Sequence, residues 1–226
     1  MADKYADTIN ELITRLEQEL QDEASWTLYA DKNGLKVHTR LDAGLTSAKG
    51  VGTIPFHPRA IWDIIMDITK KKSYDGQLAS GQRVKVLDEQ TSIDYLEYKP
   101  VFIVAGRDFV NLVHWRVLEN GTIIIVAKSV EDLELCPLKE PKIVRGDVHI
   151  AGWKIVPNAA YDGAEVSFLV KSDLKGSIPS RVASKAAADQ PYQIQTISNL
   201  LKKSKDLAKL AAEGPVKNVL PTLARP

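Results

Sequence analysis

Four histidines, one cysteine and a scatter of carboxylates are the residues of this sequence that could do chemistry, and their spacing decides which kind. His38, His57, His114 and His149 form neither an HExxH pair nor a Cys/His ligand grouping, and Cys136 stands beside Pro137 with no histidine near it in sequence. A zinc site and a thiol nucleophile both lack support, and no cofactor or catalytic residue is expected. Gly50-Val51-Gly52 opens like a glycine loop that cradles phosphate, but Pro55 takes the third glycine's place and the segment reads as a strand. Neither a GxSxG elbow nor a GxxxxGK[ST] loop occurs, so triad and nucleotide chemistry lack support too.

One segment points elsewhere. Pro100-Val101-Phe102-Ile103-Val104-Ala105-Gly106 is an apolar run bracketed by proline and glycine between two predicted strands. It reads either as a buried strand extension or as an exposed loop that touches a bilayer or gates an entrance. Arg107-Asp108-Phe109-Val110 follows, and its adjacent opposite charges read first as a structural ion pair or a capped loop.

The elements that must position these residues are legible from periodicity. Ile9, Leu12, Ile13, Leu16 and Leu20 recur at helical steps. Three strand-like segments follow, at 26–30, 35–41 and 47–54, separated by turn residues. Pro58 opens a second helix to Ile68. After a polar stretch, Lys70 to Gln82, strands are predicted at 84–87, 92–98, 108–118, 122–130, 143–156 and 165–174, with connections too short for helical crossovers. Pro179 opens a last helix that Pro191 should kink. This order describes an α+β domain with one large antiparallel sheet, and a sheet of about nine strands that curls around a helix can enclose a cavity.

The chain has 226 residues, 44% hydrophobic and 26% charged, which suits a folded protein with one sizeable core. Thirty basic against twenty-nine acidic side chains leave a formal charge of +1, too balanced for long-range attraction to a nucleic-acid backbone. No stretch approaches the ~18 apolar residues of a spanning helix, and the charged N-terminal segment has no signal-like apolar region. The expectation is a cytoplasmic monomer with at most transient peripheral membrane contact, a domain over residues 1–213 and a flexible tail over 214–226.

Taken as a set, Arg107-Asp108-Phe109-Val110, Val144-Arg145-Gly146 with His149 and Gly152-Trp153, and Asp173-Leu174-Lys175-Gly176-Ser177-Ile178-Pro179 resemble the START domain, the StAR-related lipid-transfer fold. Trp26 and the helix carrying Trp62 fit as well. The resemblance implies a helix-grip fold, a curved nine-stranded antiparallel sheet around a long C-terminal helix, enclosing a tunnel for one lipid. It also implies a gate made of the 100–106 loop, with Val101, Phe102, Ile103 and Val104, and of the last helix with Pro191. Cholesterol-binding members carry an acid and a base at the positions of Asp94 and Val113, so here the acid is kept and its base is missing. The polar contacts of ceramide-binding members fall on Ala127 and Phe168, where this chain is apolar.

Strand alternation, started from an inward Val113, then nominates a wall. It consists of Phe109, Asn111 and Trp115; Asp94, Leu96 and Tyr98; Ile123, Ile125, Ala127 and Ser129; Val166, Phe168, Val170 and Ser172. Lys154 turned outward puts His149 and Trp153 inside, and the last helix adds Ala187 and Ile194. The expected function is non-enzymatic binding and transfer of one lipid. Two alternatives stay open: a lipid-sensing interaction module, and a helix-grip enzyme that pairs Asp94 with His149.

Overall fold

Short alternating segments joined by tight turns pair with their neighbours in sequence, and this rule builds most of the molecule. The computed structural model describes residues 2–101, 104–139 and 141–204. Helix α1 (Ala6–Gln21) buries Ile9, Leu12, Ile13 and Leu16 on one stripe. Strands β1 (Thr27–Lys32), β2 (Leu35–Asp42) and β3 (Leu45–Ile54) form a meander. Its two turns place Asn33-Gly34 and Ala43-Gly44 at positive φ, the twist that two-residue hairpin loops need. Helix α2 (Pro58–Met66) carries its proline in the first turn, where no amide donor is lost, and His57 Nδ1 caps it by accepting from the Arg59 amide.

The rest of the chain runs through α3 (Lys71–Tyr74), β4 (Leu78–Val86), β5 (Thr91–Tyr98), β6 (Gly106–Val117), β7 (Ile123–Ser129), β8 (Ile143–Arg145), β9 (Asp147–Pro157) and β10 (Ala164–Asp173). Helices α4 (Ser180–Asp189) and α5 (Gln193–Lys203) follow, separated by a 3-10 turn, Gln190–Tyr192, that contains Pro191. The predicted kink is thus a change of helix type at the residue that lacks an amide donor. Two expectations needed correction. The polar stretch from Lys70 to Gln82 holds α3 and the first half of β4, and the strand predicted over 143–156 breaks at Gly146 into β8 and β9. The expected tail over 214–226 and the gate residues Phe102 and Ile103 lie outside the described residues.

The sheet order is β1-β2-β3-β10-β9-β7-β6-β5-β4, antiparallel throughout, with β8 added parallel to the start of β6. Counted as one interrupted strand, β8 and β9 make up the nine expected. Each face of this helix-grip sheet carries its own core. On the outer face α1 packs with Ile93, Val110, Leu112, Ile124, Val126, Ile150 and Leu169. On the inner face α2 and α5 pack with Trp115, Ile123, Ile125, Trp153, Ile155, Val166, Phe168 and Val170. The glycine pair of β3 serves this inner packing: a Cβ on Gly50 would fall 2.5 Å from the Pro191 Cβ, so only glycine lets the kinked helix sit so close.

Candidate functional site

Cross-strand register sorts the inner face into rows, each running across several strands at one level. The first row is large: Trp115, Ile125, Trp153 and Phe168 stand side by side from β6 to β10. Trp62 of α2 packs edge-on to Trp115 at 5.0 Å, and the Trp153 and Phe168 rings lie 4.4 Å apart. Together with Ile125 these aromatics fill one level of the inner face.

One level on, the same strands carry Ser92, Val113, Ala127, Ala151, Val170 and Ala48. Every member is small. Above this row α4 is small as well: Ala187 packs toward the inner core, and Ser184 Oγ lies 2.8 Å from Thr46 Oγ1 of β3. Val113, Ala127, Ala151 and Ala187 stay partly exposed, although Val113, Ala127 and Ala151 are flanked by strands on both sides. Their outward neighbours Leu112, Val126 and Ile150 are each 1% exposed.

The third row is polar. Arg83, Asp94, Asn111 and Ser129 lie opposite one another on β4, β5, β6 and β7. Arg83 Nε donates to Asp94 Oδ1 at 3.0 Å and Arg83 Nη2 to the Met66 carbonyl at 3.1 Å, while Ser92 Oγ also donates to Asp94 Oδ1 at 3.0 Å. The base missing at Val113 is therefore supplied from the next strand, and Asp94 is not a solitary buried charge. Ser129 Oγ donates to Asn111 Oδ1 at 2.9 Å and accepts from the Val148 amide at 2.8 Å. Asn111 is 4% exposed, yet among the described residues its side-chain N–H donors have no partner.

A second polar group closes this end. Tyr98 Oη donates to Asp75 Oδ2 at 2.9 Å, and the Tyr98 ring packs edge-on to Phe109 at 5.6 Å. Burial, reinforced by Asp75, pushes the Tyr98 phenol well above its ordinary range, so it stays a donor. Lys71 Nζ lies 5.2 Å from the Tyr74 ring centroid. Burial pulls its ammonium pKa down, but Tyr74, Asp75 and Asp94 outweigh burial and the net shift is upward. Leu96 lines this end too, 9% exposed, on the β5 face that Asp94 and Tyr98 share.

Of the other nominated residues, Val166 and Ile123 sit in the inner core below the aromatic row, and Ile194 of α5 packs there, 2% exposed. Ser172 is partly exposed near the end of β10. Alternation does not carry through to His149. The register jumps from Lys171 opposite Ile150 to Ser172 opposite Val148, which leaves His149 with no partner on β10. Its Nε2 lies 3.6 Å from Asp147 Oδ2, and both side chains are over a third exposed or close to it. Val101 is exposed and exchanges two backbone hydrogen bonds with Val104. Pro191 is buried against β3. Sequence reasoning missed Arg83, Lys71 and Asp75. Among the described residues no group of three His, Cys, Asp or Glu side chains converges as a metal site would require, and no helix is long and apolar enough to cross a membrane.

A ten-stranded sheet gripped by a C-terminal helix, with a stepped inner face, defines a class. The START domain family model matches residues 7–190, and the chain belongs to that family, whose members bind and transfer lipids. Its curated relatives include StAR-related lipid transfer protein 5 of Bos taurus, 27% identical over 173 residues, which are 72% of this chain and 78% of the relative. The Mus musculus protein of the same name is 26% identical over 170 residues, with the same coverage of 72% and 78%. Among solved structures, human StAR-related lipid transfer protein 5 superposes with a TM-score of 0.81 at 21% identity, covering 90% of this chain and 99% of that one. Human STARD10 superposes at 0.76 and 19% identity, covering 87% and 81%.

Proposed function

We propose that the chain encloses one lipid between the inner face and α4 and carries it between membranes without chemical change. The observation that supports this most is a row of small side chains: Val113, Ala127 and Ala151 stay partly exposed between flanking strands, and Ala187 of α4 packs toward the same core. A core built for stability alone would place large side chains there, because interiors pack to crystal density. Burying about 400 Å² of lipid apolar surface in such a hollow contributes on the order of 10 kcal/mol relative to water. Selection among lipids then falls to polar groups, since one unmade buried hydrogen bond costs roughly 1 to 3 kcal/mol. Asn111 brings an unused donor, and Asp94 brings acceptor oxygens whose charge Arg83 already balances. That combination suits an uncharged head group which both donates and accepts, as a hydroxyl does. The ligand reaches the hollow when α4 and α5 move away from the sheet, with the exposed Val101 turned to the bilayer.

Transfer of labelled lipid between two vesicle populations tests the reading. Full-length protein should accelerate transfer in proportion to its concentration, and a disulfide that staples α4 to β3 should abolish the acceleration. Undiminished transfer by the stapled protein would refute movement of the helix, and no acceleration by any form would refute the carrier.

A further inference from the structure

Arg107, the second residue of β6, pairs with Tyr98 of β5 at the end of the sheet from which α4 departs, and it is 7% exposed. It faces the side opposite to Asp108, whose two carboxylate oxygens are both taken by Arg145, at 2.7 and 3.0 Å. The Arg107 guanidinium instead donates to three backbone carbonyls. Nε reaches Leu174 O at 3.1 Å, Nη2 reaches Lys175 O at 2.9 Å, and Nη1 donates to Ala105 O. Among the described residues no carboxylate shares these bonds, and burial holds the guanidinium below its ordinary pKa. The flat fork of arginine is what allows one side chain to hold carbonyls from two separate segments.

The backbone is shaped to meet it. Lys175 and Gly176 have φ of +48° and +66°, and Asp173 Oδ1 accepts from the Lys175 amide at 2.8 Å. Two left-handed residues in a row turn the chain after β10 and bring both carbonyls to the guanidinium. Among the described residues, no other side chain from outside the link between β10 and α4 hydrogen-bonds to Leu174, Lys175, Gly176, Ser177 or Ile178.

We propose that Arg107 is a latch that ties the root of α4 to the start of β6, so that the helix leaves the inner face only when the hydrogen bonds to Leu174 and Lys175 break together, while the bond to Ala105 holds the guanidinium in place. Arg107 is a positioning residue here: it acts on the rate at which the hollow opens and not on the lipid. The proposal rests on the carrier reading, in which α4 must move.

Hydrogen exchange of the full chain, with lipid uptake and release measured on the same samples, tests it. Arg107→Gln removes the charge and the fork. Gly176→Ala disturbs the latch from the other side, because the added methyl carbon lies 3.2 Å from Arg107 Nη2 on a left-handed backbone. In both variants the amides of residues 104–106 and 174–183 should exchange faster together, by about tenfold to a hundredfold, the factor expected for losing one charge-assisted bond. Uptake and release should accelerate by the same factor and leave affinity unchanged, and Arg107→Lys should fall between. If Arg107→Gln does not fold, Gly176→Ala and Arg107→Lys decide the matter. Faster exchange in one segment alone, or a change in affinity without a change in rates, overturns the latch. Coupled loosening of both segments in a protein that never takes up lipid would leave the latch standing and overturn the carrier.

Discussion

The two faces of one sheet are built to opposite ends. On the outer face the space is filled: Leu16 is fully buried against Gly152, Lys154 pairs with Glu17 of α1 at 3.5 Å, and the cations of Arg40 and Lys49 lie 4.6 and 4.7 Å from the Trp26 ring centroid. On the inner face one level of the same strands is small, with Val113, Ala127 and Ala151, the next level is polar, and Ala187 of α4 packs toward that core. Alternation makes this possible, because successive side chains of one strand belong to different faces. The outer face and the aromatic row can therefore hold the fold together without help from the small side chains between Val113 and Ala48.

Substitutions on the two faces should fail in different ways. Leu16→Ala should lower unfolding free energy by about 2 to 5 kcal/mol in urea titrations, the range for emptying a filled core site, with lipid occupancy per folded molecule unchanged. His114, on the outer face, should give a pH signature. Burial, with Arg116 adding, pushes its imidazole down to about 4, while the unfolded chain protonates near the ordinary histidine value of about 6.5. Stability is therefore full above about pH 6.5 and falls as pH drops toward about 4, by ~3 kcal/mol, in wild type but not in His114→Gln. Urea titrations across that window in both proteins check the slope.

Ala151→Leu should reverse the Leu16→Ala pattern. It fills space and does not empty it, so stability should move by about 1 kcal/mol or less, while lipid loading falls at least roughly tenfold. A large loss of stability would mean that the small row is already packed tight, and the contrast between the faces would dissolve. Asp94→Ala should also change the fold little, by about 1 kcal/mol, because the Arg83 side chain is 32% exposed and can turn to water. Its effect should appear in the mixture of lipids bound, read by mass spectrometry of extracts. An unchanged mixture would remove Asp94 from recognition.

Period-two patterning made much of this legible before any coordinates. Val113 and Trp115, Ile123 and Ile125, and Val166, Phe168 and Val170 share the inner face because each set alternates within one uninterrupted strand. His149 escaped the same argument because a one-residue bulge is a property of two paired strands and leaves no mark on one. Arg83 was missed for a related reason. The first half of β4, Leu-Ala-Ser-Gly-Gln, has no apolar alternation, so the strand was started too late for Arg83 to be set opposite Asp94. Lys71 and Asp75 flank a four-residue helix, too short to show a period. The rows themselves depend on register, which fixes who stands beside whom across strands as distant in sequence as β3 and β10.

Native mass spectrometry of the chain after incubation with mixed-lipid vesicles decides whether the inner face encloses a ligand. One lipid mass should be added to each folded molecule, and that species should be lost in Ala151→Leu with the fold intact. Bare protein mass in wild type after loading, or an equally loaded Ala151→Leu, would contradict enclosure.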